Sequence, residues 1–170
     1  MGYTTTFKGR FELDKPLKPE HQAYLDAFSS TRHMTWRVDE IAKIPDPIRD
    51  AAELPLGEQG EYFVAMAEAA YSLAEDPNHS PKSQPSLYCQ WMPSNDGKGI
   101  EWDEAAKFQS YDEWLWYVIE HFLKPWGYTL DGSVAYQGED REDYGLLVVK
   151  DNLVDIVELD EPPFPGYFDE

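Results

Sequence analysis

The chain has one cysteine, Cys89, in 170 residues. That excludes an internal disulfide and suits a reducing compartment. No apolar run approaches the roughly 18–20 residues of a membrane span, and the N-terminus lacks a signal-peptide core. The expectation is a cytoplasmic protein with no membrane partner. Positive charge is scarce: 14 Lys and Arg stand against 33 Asp and Glu, a net charge of −19. Phosphates would be repelled, which disfavours direct binding to nucleic acid or an anionic membrane. Gly-rich phosphate loops, nucleophile elbows, HExxH, EF-hand loops and CxxC pairs are absent. No metal, cofactor or catalytic residue is expected from local motifs. An active site assembled from distant residues leaves no such signature, so an enzyme stays open.

What is present suits a globular fold. Apolar residues make up 42% and aromatics 15%, enough for a core and too much for wholesale disorder. The reading is one α+β domain over 1–160 and an acidic, proline-containing tail over 161–170. The charge is uneven. Residues 1–50 hold eight acids and eight bases, so residues 51–170 carry the whole −19.

The stretch 110–126, SYDEWLWYVIEHFLKPW, organises the chain. Tyr111, Trp114, Leu115, Val118, Ile119, Phe122, Leu123 and Trp126 repeat at i, i+3, i+4, i+7, i+8, one face of a long amphipathic helix. Ser110 and Glu113 read as a capping box, and Pro125 and Gly127 as the stop. A mostly antiparallel sheet is expected to pack against it. A first strand spans 3–13, with Gly9 as a candidate bulge. A shorter helix follows over 20–30, burying Tyr24, Leu25 and Phe28. Single helical turns fit 38–43 and 48–52. Residues 61–66 read as a strand and the alanine-rich 65–74 as either helix or strand. Residues 75–85 read as a polar loop. Strands at 87–92 and 100–102 flank an Asp96-Gly97 turn, 128–130 and 134–137 flank Asp131-Gly132, and 144–150 and 153–159 flank Asp151-Asn152.

Several motifs carry a resemblance. They are Met1-Gly2-Tyr3-Thr4-Thr5 with Phe7 and Gly9, Tyr24-Leu25 with Phe28, Cys89-Gln90-Trp91, Glu101-Trp102-Asp103, Glu120-His121-Phe122-Leu123, Pro125-Trp126-Gly127-Tyr128, and Gln137-Gly138-Glu139-Asp140. Over most of residues 1–152 the chain resembles a group of small uncharacterised proteins of bacteria and their phages. The resemblance implies a bacterial or phage origin and an intracellular site of action. It transfers no catalytic residue.

Four features bear on function. Cys89 sits in an apolar strand with no cation near it in sequence, so it reads as a small buried hydrophobe. Glu113, Tyr117 and His121 share a helical edge, which makes either a small polar pocket or, for His121, a local hydrogen bond at the core border. Trp116 and Tyr117 flank the polar side of the helix. Either another element covers them or they are aromatic anchors of an interface. The acids cluster as Glu101, Asp103, Glu104, then Asp112, Glu113 and Glu120, then Glu139, Asp140, Glu142 and Asp143. They read as solvated turns and helix-start charges, or as a carboxylate pattern imitating a nucleic-acid backbone.

The leading expectation is a binding protein without catalysis. Those ten acids, Trp116 and Tyr117 would meet a basic protein, with a nucleic-acid-binding effector such as a CRISPR or restriction complex as the candidate, and block it by mimicry. Two alternatives stand beside it. One is an interaction or immunity module for another basic protein. The other is a small enzyme centred on Glu113, Tyr117 and His121. Oligomeric state is not legible.

Overall fold

A computed structural model describes residues 2–65 and 71–164. The fold is α+β with a mostly antiparallel sheet. In chain order come β1 (Thr6–Lys8), β2 (Phe11–Leu13), α1 (Pro19–Ser30), β3 (Thr35–Trp36), α2 (Val38–Ile41) and α3 (Pro47–Ala51). They are followed by β4 (Ala74–Asp76), β5 (Trp91–Pro93), β6 (Gly99–Trp102), α4 (Tyr111–Val118), β7 (Leu130–Gln137), β8 (Tyr144–Lys150) and β9 (Leu153–Val157). The main sheet runs β5-β6-β2-β7-β8-β9, with β1 also paired to β7. β3 and β4 form a separate two-stranded sheet.

The opening alternation becomes two short strands. β1 and β2 both pair β7, Lys8 opposite Ala135 and Phe11 opposite Gly132. The intervals on the two strands match, so Gly9 breaks the ladder without adding a residue and is no bulge. Asp131-Gly132 is not a turn either, because β7 runs unbroken through it. Gly132 has φ +132°, and a Cβ there would lie 3.3 Å from Phe11 Cα. This glycine serves close strand approach rather than reversal. Asp151-Asn152 does turn the chain. Both residues have positive φ, the pattern of a type I′ hairpin between β8 and β9. Asn152 also ties that turn to β7: its Oδ1 accepts from Leu130 N–H at 2.7 Å.

The organising helix is shorter and less regular than its repeat suggests. α4 gives way at Ile119 to a π-helical turn, Ile119–Leu123, and the two together make the longest helix, thirteen residues. Pro125 has no N–H to donate and crowds the carbonyl four residues earlier, so a widened turn before it has a local cause. Lys124 N–H bonds Ile119 C=O at 2.8 Å, a five-residue step. The capping box does not form. Ser110 adopts a left-handed conformation, φ 56°, and its side chain caps nothing. A capping side chain needs extended backbone there.

The buried face nevertheless matches the repeat. Trp114, Leu115, Val118, Ile119, Phe122 and Leu123 are buried and join β2, β5, β7 and α1 in one core. Each such burial contributes roughly 1.5–3 kcal/mol. Aromatic edges interlock within it: Phe28 lies 5.0 Å from Phe122 and Phe7 lies 5.3 Å from Trp91. Cys89 is buried in this core and its thiol is pushed up by burial.

A second core holds Met34, Trp36, Ile41, Phe63 and Ala74. It covers the β3–β4 pair, a sheet the polar look of 75–85 concealed. Residues 61–65 form no strand: Glu61 and Tyr62 turn and the next three are irregular. The helix-or-strand segment 65–74 lies partly outside the described residues. Its described end is a 3-10 turn, Tyr71–Leu73, leading into β4. The tail over 165–170 also lies outside them. Among the described residues no helix is long and apolar enough to cross a membrane.

Candidate functional site

Tyr117 lies off the apolar repeat of α4 yet is buried, and it meets residues that local sequence could not assign to it. Its hydroxyl donates to Glu61 Oε1 at 2.6 Å and accepts from Gln84 Nε2 at 3.1 Å. Ser83 Oγ donates to the same carboxylate oxygen at 2.7 Å. Tyr62 hydroxyl and His121 Nδ1 share a 2.7 Å hydrogen bond, and the His121 ring stacks on Tyr117 with centroids 3.8 Å apart. Burial first, then the bond to Glu61, pushes the Tyr117 hydroxyl well above its ordinary value. Burial lowers His121, partly offset by Glu61 and Glu120. The sequence left Glu113, Tyr117 and His121 as either one small polar pocket or, for His121, a local hydrogen bond at the core border. Tyr117 and His121 do share a cluster, but its polar partners are Glu61, Tyr62, Ser83 and Gln84. Glu113 is exposed and outside it.

Gln84 is held firmly. Its Nε2 also donates to the Glu61 carbonyl at 2.7 Å, and only the NH₂ end of an amide can face a carbonyl oxygen. That fixes the opposite end. Gln84 Oε1 is buried with no hydrogen-bond partner among the described residues, and the residue is 4% exposed. An unsatisfied buried acceptor costs about 1–3 kcal/mol.

This cluster lies under an open cleft of about 530 Å³. Asp112, Glu113, Trp116 and Tyr117 of α4 form one wall, Lys82 to Pro85 another, and Val154, Asp155 and Ile156 of β9 the third. Trp116 is 54% exposed. So the two flanking aromatics separate: Trp116 stays open to solvent, whereas Tyr117 is buried and serves the floor. The expectation that Tyr117 is an exposed anchor is corrected, because Glu61 and Gln84 cover its hydroxyl.

The remaining acids divide. Glu101, Asp103 and Glu104 line a different depression beside Phe7 and Lys8. Burial raises Asp103, whose Oδ1 accepts from Ala105 N–H at 2.8 Å. Glu104 has φ 67°, one of three non-glycine residues with positive φ over 104–110, with Lys107 and Ser110. Glu120 pairs with Lys124 at 3.4 Å and does not line the cleft. In the 139–143 loop two acids are structural. Glu139 Oε2 accepts from Thr4 N–H at 2.6 Å, and Asp143 Oδ2 accepts from Tyr3 hydroxyl at 2.7 Å. Asp140 and Glu142 are exposed at its tip, where Asp140 Oδ1 accepts from Glu142 N–H at 3.0 Å. α4 packs against β9. The Tyr136 hydroxyl is raised by burial first and then by Asp143, Asp112 and Glu158 together.

Sequence reasoning missed Glu61, Tyr62, Gln84 and Asp155. The one available hint was the Pro81 to Pro85 stretch, which restricts the backbone enough to hold Ser83 and Gln84 in place. Among the described residues no three His, Cys, Asp or Glu side chains are grouped to hold a metal ion. No protein-family model, curated protein or solved structure matches this chain.

Proposed function

We propose that the protein is an acidic binding protein that occupies the basic groove of a nucleic-acid-binding protein and blocks it. A cytoplasmic bacterial or phage setting, with a host-defence effector such as a CRISPR or restriction complex as the blocked partner, belongs to the same proposal. The observation that carries it is the setting of Trp116. An exposed tryptophan stands in a cleft whose lining holds three carboxylates, Asp112, Glu113 and Asp155, against one cation, Lys82. Tryptophan among like charges is poor design for solubility alone and good design for an anchor in a charged rim. The −19 charge supplies long-range attraction to a basic surface.

The test is capture of partners from a bacterial lysate at low and high salt, followed by challenge with duplex DNA. Nucleic-acid-binding proteins released by both salt and DNA support the reading. A basic partner that DNA does not displace favours the interaction-module alternative.

One observation favours an enzyme as a second reading: Tyr117, His121, Tyr62 and Glu61 lie together beneath the cleft. Their hydrogen bonds are largely spent on one another, so binding remains the first reading.

A further inference from the structure

Resting on that binding reading, we propose that the cleft beside Trp116 receives an arginine side chain, carried by an extended basic segment that adds to the free edge of β9. Three independent features meet there. The first is what the lining offers. Asp112, Glu113 and Asp155 bring carboxylate acceptors to the cleft, and Gln84, whose buried Oε1 has no partner among the described residues, lies in the wall beside them. Lys82 is the cation among the lining residues. A guest that satisfies this set must bring several N–H donors and positive charge. A guanidinium brings five donors in a planar fork, and its plane stacks on an indole face such as the one Trp116 leaves open. An ammonium supplies the charge without the fork or the stacking plane.

The second feature is the edge. Among the described residues β9 is the terminal strand of the main sheet, pairing β8 on one side. Leu153 is 71% exposed and Ile156 45%. Exposed apolar residues on an unpaired edge strand are what strand addition uses, main-chain bonds giving affinity and alternate side chains giving specificity. The Ile156 N–H is met at 2.9 Å by the carboxylate of its own neighbour, Asp155. An incoming strand replaces that local bond and frees the carboxylate for a cation. The third feature is room. A cleft of about 530 Å³ exceeds one side chain and accommodates the flanking backbone.

The experiment uses the full chain and three synthetic peptides with capped ends: alternating arginine and valine, the same with lysine, and the same with citrulline. Binding is followed by NMR at the Trp116 indole and the β9 amides. Support is saturable binding of the arginine peptide that moves both signals, weakened roughly tenfold or more by citrulline and by Trp116→Ala. Lysine binds less tightly than arginine. Equal binding of the citrulline peptide, or shifts confined to the 139–143 loop, overturns the proposal. Equal binding of lysine overturns the guanidinium assignment. A thermal melt of Trp116→Ala excludes unfolding, and Asp155→Asn gives a second variant at an exposed position. Peptide binding combined with partners that duplex DNA does not displace keeps the cleft and removes mimicry. DNA-displaceable partners that bind Trp116→Ala and Asp155→Asn as tightly as the parent remove the cleft and keep mimicry.

Discussion

The Tyr117 hydroxyl donates to Glu61 Oε1 at 2.6 Å, joining the organising helix to a turn 56 residues earlier. Tyr117→Phe removes that bond and also the acceptor for Gln84 Nε2. The expected loss is about 1–3 kcal/mol, the cost of leaving buried polar groups short of partners. A urea midpoint reads it. An unchanged midpoint with an unchanged slope means the hydroxyl contributes nothing net to the fold.

The segment that supplies Glu61 is itself tied down by a buried ion pair. Asp46 accepts from Arg49 Nε at 3.0 Å and from Val64 N–H at 3.2 Å, and its side chain is buried. Arg49 Nη1 donates to the Leu54 carbonyl at 2.9 Å. Arg49→Ala strands a buried carboxylate and is expected to cost about 3–5 kcal/mol. Replacing both partners with apolar residues is expected to cost less than Arg49→Ala alone. Equilibrium unfolding of the two variants checks this order.

Stability is expected to fall with pH below about 6.5. His33 is buried, bonds the Phe28 carbonyl through Nε2 at 2.9 Å, and is pushed down to about 3 by burial. Between those values the unfolded chain binds a proton that the native state does not. Stability is therefore whole above about 6.5 and is lost on acidification through that window, by about 1.4 kcal/mol per pH unit for this residue. His21 and His121 are lowered by burial too and steepen the upper part of the slope. His33→Gln should flatten the dependence between about pH 6.5 and 5. Denaturant titrations across that range measure it, and an unchanged slope contradicts the assignment.

The acidic loop should divide under mutation. Asp140→Lys and Glu142→Lys change exposed side chains and are expected to stay within about 0.5 kcal/mol of the parent. Glu139→Lys and Asp143→Lys lose the bonds to Thr4 and Tyr3 and should free the N-terminal segment. Hydrogen exchange at Thr4 N–H distinguishes the pairs. Equal protection in all four variants would contradict the structural role.

Regular pattern was the legible part. The apolar repeat of α4, the burial of Tyr24, Leu25 and Phe28 on α1, and the Asp151-Asn152 hairpin all follow from local spacing. Errors came where one signal has two physical uses. Asp131-Gly132 has the composition of a turn, yet Gly132 is there because β2 passes close. Ser110 and Glu113 have the composition of a capping box, yet the left-handed backbone at Ser110 prevents it. The floor of the cleft was illegible for another reason. Glu61, Gln84 and Tyr117 meet only through tertiary folding, and nothing in a polar loop announces that one of its glutamines will be buried.

The proposed binding face is acidic and anchored by Trp116. The most direct measurement is association kinetics of a captured partner over a salt series, for the parent and for Asp112→Asn combined with Glu113→Gln and Asp155→Asn. The account predicts association that slows steeply with salt in the parent and less steeply in the neutralised variant, because rim charges steer encounters within a Debye length of about 8–10 Å. Trp116→Ala should instead speed dissociation, as loss of an anchor does. Association independent of salt, with dissociation unchanged by Trp116→Ala, would contradict the account.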